Sequence, residues 1–209
     1  MSAPADYIIA IEGLADSRPL ESLPKTIIQA AQRAVNRTAD RTSTAARRGV
    51  REQVNFAAQY LTGTDSSGRQ RLGVSKRASS GSLEAIITGR HRPTSLARFI
   101  SGNPTVGKPG VTVSVAPGFA RYMKRAFVIR LPAGRSGDVE TKSNLGLAIR
   151  LKPNEVIKNK RVMARISGNL YLLYGPSVDQ AFASVREDVL PDAEQFLGEE
   201  FIRLMGLDL

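Results

Sequence analysis

Cysteine and tryptophan are absent from this chain, and histidine occurs once. Without cysteine there is no disulfide framework and no thiolate metal site. That composition suits a reducing compartment, or a particle assembled in one. A histidine-based catalytic triad would have to use His91, which sits in the segment GRHRP. The cations around it oppose protonation and suit a surface loop rather than a catalytic or metal role. Acids are sparse in the body of the chain, so a carboxylate metal site has little to draw on; Glu187/Asp188 and Glu199/Glu200 read as solvated helix faces. No apolar run approaches the roughly 20 residues of a membrane span. The start, MSAPADYIIAIEGL, lacks the basic opening and apolar run of a secretory signal. A soluble protein with no membrane partner and no cofactor is the expectation.

What the chain does have is positive charge, unevenly placed. The formal net charge is +11 over 209 residues, with hydrophobic residues at 42%, enough for one cored domain over residues 1–209. Residues 62–130 carry twelve bases and two acids, whereas residues 176–209 carry two bases and eight acids. A basic body with an acidic end attracts polyanions, or the acidic end of another copy. The competing reading is that the acidic C-terminal helix lies on its own basic body.

The strongest local pattern is a long helix over residues 24–61, opened by Ser22 and Pro24. At about 100° per residue, Arg33, Arg37, Arg41, Arg47, Arg48 and Arg51 fall within an arc of roughly 120°. The opposite side carries Ile28, Ala31, Val35, Ala39, Thr42, Ala46, Ala57 and Tyr60. The basic stripe should face solvent, nucleic acid or a neighbouring subunit, with the alanine-rich side on the fold. Gly49 predicts a kink or a break into two helices.

Strands are predicted over residues 6–14, 83–88, 111–115, 121–131, 145–151 and 170–174, from alternating or short apolar runs bounded by turn residues. Residues 62–81 read as a mobile basic loop with a short strand at 72–76; residues 94–100 read as a strand or a short helical turn. Extended loops are expected at 101–110, 132–144 and 152–168. Ser177 caps a last helix with Val178, Phe182, Val185, Val189 and Phe196 on its apolar stripe, kinked or restarted at Pro191. The order predicts an α+β fold: an antiparallel or mixed sheet packed on one face by two helices.

Three motif checks fail. Gly63 to Gly68 has the outer spacing of a phosphate loop, but Arg69-Gln70 stands where Lys-Ser/Thr is needed and the segment follows a helix. Asn36-Arg37-Thr38 is a formal glycosylation sequon in mid-helix. No zinc-finger or RNA-recognition signature is present, and the helix is too long for a helix-turn-helix. Arginines at helical spacing can still track phosphates without reading sequence. A second basic set, Arg121, Lys124, Arg125 and Arg130, lies on one predicted strand with charge on both faces. It reads either as an edge strand protected from aggregation or as an arm that docks a neighbour.

Several segments together resemble the minor tail protein Z family of long-tailed phages, the tail completion proteins: IIQAAQRAVNRTADRTSTAARRGVREQV, RLGVSKRASSGSLEAIITGRHRPTSLARF, KRAFVIRLPAGRSG and LYLLYGPSVDQAF with the closing DVLPDAEQFLGEEFIRLMG. The resemblance covers roughly residues 24–205 and includes the turn Tyr174-Gly175-Pro176-Ser177, which leads into the last helix. It implies a virion structural protein and not an enzyme, assembled in the host cytoplasm at the head-proximal end of the tail. It further implies a homo-oligomeric ring, six copies being the expectation, around the DNA channel. The tail tube, terminator, connector and genomic DNA would then be partners. In that setting Glu187, Asp188, Glu199 and Glu200 would meet the basic body of the next subunit. The alternative is a non-specific DNA-binding architectural or packaging accessory protein.

Overall fold

The computed structural model describes residues 7–10, 23–65, 67–131, 145–155 and 162–206. The loop expected over 132–144 lies outside them, as do residues 156–161 of the stretch 152–168. The elements are β1 (Tyr7–Ala10), α1 (Lys25–Gln53), α2 (Ala58–Thr62), β2 (Leu72–Lys76), β3 (Glu84–Gly89), a single 3-10 turn (Leu96–Phe99), β4 (Pro109–Val113), β5 (Arg121–Arg130), β6 (Leu145–Arg150), β7 (Met163–Ser167), β8 (Leu170–Leu173) and α3 (Val178–Met205).

The fold is α+β, with two antiparallel sheets where the sequence suggested one. The first has the order β1-β3-β2 and the second the order β4-β5-β6-β8-β7. Helix α1 packs on the first sheet and on α3. The two helices run antiparallel: Arg37 meets Glu200 near one end, and Ser184 donates to Gln53 near the other. Small residues make this approach possible. A side chain at Gly49 would begin 3.4 Å from the Val185 Cβ. One apolar core runs through all layers, with Val35, Ala39, Ala46 and Val50 from α1 and Phe182 and Val185 from α3. Ala85 and Ile87 enter it from β3, and Val111, Val113, Ala126, Val128 and Leu147 from the second sheet. Each fully buried valine, isoleucine, leucine or phenylalanine among them contributes about 1.5–3 kcal/mol.

Gly49 does not break the first helix. The chain leaves it at Val54, which is extended, because tertiary bonds replace helical ones: the Asn55 N–H donates to the Val115 carbonyl at 2.7 Å, and its side-chain amide donates to Ser114. Residues 62–81 are not a loose loop around β2. Asp65 accepts from the Ser67 backbone, Arg71 N–H donates to the Gly63 carbonyl, and Arg71 is buried. Within 152–168, β7 pairs with β8, so that arm is in part sheet.

The charged strand is not an edge strand either. β5 lies between β4 and β6, but its register with β6 covers only residues 127–130. Residues 121–123 are paired on the β4 side alone. A ten-residue strand beside a six-residue one overhangs, and the overhang carries the charge. Helix α3 runs through Pro191 unbroken, with that residue exposed.

Candidate functional site

The arginines of α1 divide by whether a partner lies within reach along the helix. At one margin Arg47 donates to the Leu72 carbonyl at 3.3 Å and to Ser43 and Thr44. On the side of α3, Arg37 donates to Glu200 at 2.5 Å, and the Arg41 guanidinium lies 4.5 Å from the centre of the Phe196 ring. These three therefore fasten α1 to β2 and to α3. Asp40 pairs with Arg77 through two hydrogen bonds of 2.7 and 3.1 Å. Arg33, Arg48 and Arg51 are exposed, and no hydrogen-bond or ion-pair partner faces them among the described residues. Arg48 and Arg41 border a groove between the helices whose far bank is Val189 and Asp192.

Glu200 is a correction to the sequence reading. It is 5% exposed and takes hydrogen bonds from Arg203 and Arg37, so it closes the helix pair within one chain. The Arg203 guanidinium first, and then Arg37, hold its carboxyl at about 2, well below the ordinary carboxylate range. For this residue the acidic helix does lie on its own basic body. Glu187, Asp188 and Glu199 remain exposed on α3; Asp188 borders a groove between α1 and α3 beside Arg48, and Gln195 donates to Glu199.

On β5, Arg125 is held by both oxygens of Glu155 at 2.8 and 2.9 Å and donates to the Arg150 carbonyl. Arg125 holds the Glu155 carboxyl at about 2. Arg121 and Lys124 are exposed on the overhang. Beside them stand two aromatics that the sequence reading passed over: Phe119 is 77% exposed and Tyr122 65%. Tyr122 pairs with Thr112 and so lies on the face opposite Val111, Val113 and Met123, which line the core; a register irregularity between residues 123 and 127 then brings Ala126 and Val128 to the core side. That irregularity, invisible in the sequence, makes it a surface residue.

A buried cluster around Tyr60 also escaped sequence reading. The Arg71 and Arg98 guanidiniums each lie 4.3 Å from its ring centre, and Arg90 donates to its hydroxyl at 2.7 Å. Contacts of this kind contribute on the order of 1–2 kcal/mol when desolvated. His91 has a partner that its sequence neighbours did not suggest, Asp179 of the first turn of α3, at 3.0 Å. The turn Tyr174–Ser177 is fixed from behind: Gly175 N–H donates to the Thr94 carbonyl, and Tyr174 N–H to that of Val162. Ser177 then caps α3 reciprocally with Gln180.

Among the described residues no group of three or more His, Asp or Glu is placed to share a metal ion, and no helix is long and apolar enough to cross a membrane. Comparison with family models, with curated proteins and with solved structures finds no match. What the geometry offers chemically is surface: cations on the outer arc of α1 and on the β5 overhang, and acids along the outside of α3.

Proposed function

We propose that this chain is a structural subunit at the head-proximal end of a long-tailed phage tail. There it completes the tail and joins it to the head as a homo-oligomeric ring around the DNA channel. The observation that carries this reading is that one subunit presents two outward surfaces of opposite sign. Arg121 and Lys124 project from the β5 overhang, and Glu187, Asp188 and Glu199 from α3. Such a pair supports a head-to-tail contact, which closes into a ring when the rotation fits. The segment resemblance to tail completion proteins supports the location in the virion and the tail tube, terminator and connector as neighbours. The role is steric and electrostatic, with no catalytic step.

Light scattering after size exclusion tests it, at physiological and at high salt. A ring-sized species that loosens in high salt is expected. A monomer at both salts, even at the highest soluble concentration, would count against self-assembly.

The second reading, a non-specific DNA-binding accessory protein, draws on Arg33, Arg48 and Arg51, which point outward along α1. It predicts duplex binding by the monomer with a steep salt dependence. Replacing these three with alanine should abolish that binding. Arg37 and Arg41 are poor choices for the test, since they hold α3.

A further inference from the structure

We infer that the β4–β5 hairpin is a docking arm, and that its occupant is the outer face of α3 on a second copy of this chain. The inference rests on the ring reading and names the contact within it.

The arm has the features of a preorganised anchor. Phe119 and Tyr122 are the most exposed large apolar side chains among the described residues. Tyr122 is nevertheless held in place. Its ring lies over Gly110, whose φ of +96° and missing Cβ make room for the tyrosine hydroxyl. A fixed aromatic loses little conformational freedom when it is covered. Arg121 and Lys124 flank it, both exposed. Aromatics and arginine are the residue types that dominate binding energy at protein interfaces.

The receiving face shows the complementary pattern. On α3, Leu190 is 38% exposed. Glu187 lies three residues before it and Glu194 four after, so the three form one strip along the helix. Phe201, half-buried, continues that strip. Neither acid has an ion-pair partner among the described residues. An apolar centre edged by cations thus faces an apolar centre edged by acids. Within one subunit the two do not cover each other, since both aromatics and Leu190 are open to solvent. The two patches differ, so the contact is heterologous, and its repetition builds a ring.

The absence of cysteine makes the test clean. Two differently tagged preparations, one Tyr122→Cys and the other Leu190→Cys, are mixed and mildly oxidised. The inference expects a mixed disulfide between the tags, in excess over either homodimer. Its absence, with both proteins folded by circular dichroism, overturns the contact. In parallel, Arg121→Glu with Lys124→Glu should weaken self-association about tenfold or more. Adding Glu187→Lys and Glu194→Lys on the receiving copy should restore it, and failure of that rescue also overturns the contact. If light scattering shows a multi-subunit species but no mixed disulfide forms, the docking contact falls while the ring reading stands. If neither is seen, both fall. If Phe119→Ala with Tyr122→Ala removes duplex-DNA binding and leaves the mass unchanged, the arm serves nucleic acid and the inference is overturned.

Discussion

Thr38 is wholly buried in α1, and its hydroxyl has no hydrogen-bond partner among the described residues. A desolvated hydroxyl of this kind costs about 1 kcal/mol or more. Thr38→Val keeps the shape and removes the orphan, so thermal unfolding should rise by about 2–4 °C. Gly89 is the opposite case. A Cβ there would stand 2.7 Å from the Asp179 Cα and 2.9 Å from its N, both backbone atoms that cannot swing aside. Gly89→Ala should therefore cost about 1–3 kcal/mol, read as a lowered denaturation midpoint at unchanged slope. Neither residue announces itself in the sequence. A threonine in mid-helix and a glycine at a strand end are common, and only the packing around each, α3 against Gly89 among it, makes them matter. The stripe of arginines was legible as a pattern. Which members face a partner was not, because that depends on where α3 and β2 lie along the margins of the arc.

Helix α3 is defined by its start and by one buried acid. Ser177 and Gln180 satisfy each other's backbone donors in a capping box, and Ser177→Ala should destabilise the protein by about 1 kcal/mol in chemical denaturation. At the far end Glu200 has a folded-state pKa of about 2. Its unfolded value is the ordinary carboxylate one, near 4.3. Because folding depresses it, the stabilisation is full above about pH 5 and is lost as pH falls toward 2. Urea midpoints should drop over that window, and Glu200→Gln should flatten the drop. Glu155 adds a drop in the same window, from a pair on the surface that salt screens. Arg37→Ala alone leaves Arg203 on Glu200 and should be mild. Arg37→Ala with Arg203→Ala strands a buried carboxylate and should cost about 3 kcal/mol, more than the two singles added. At this scale the sequence was informative. The cap, the apolar stripe from Val178 to Phe196, the first helix and most strands follow from periodicity and turn residues. The helix end at Gln53 did not, because Asn55 trades helical bonds for bonds to residues 114 and 115, 59 and 60 positions away in the chain.

At the scale of the whole molecule, the ring reading makes charge placement the control on association. If opposite faces of neighbouring copies meet, the apparent mass should fall as salt rises, and reversing Glu187 should weaken assembly without unfolding the chain. The same reversal at Glu200 should instead unfold it, which separates an interface acid from a structural one. The α+β class was legible from the order of elements. The division into two sheets was not, because antiparallel strands of similar composition carry no label for their neighbours. The overhang of β5, and the register shift that leaves Tyr122 exposed, follow from that pairing and were hidden for the same reason.

The antiparallel seating of α1 against α3 has a consequence in time. Gln53 and Val178, where the first helix ends and the last begins, are separated in the chain by every strand but β1. At a synthesis rate of 5–20 residues per second, α1 leaves the ribosome on the order of 10 s before its partner exists. Its 29 residues, many of them alanine and arginine, are long enough for a lone helix to hold part of its shape in water. The small side chains that let α3 approach so closely thus leave the waiting face only weakly sticky.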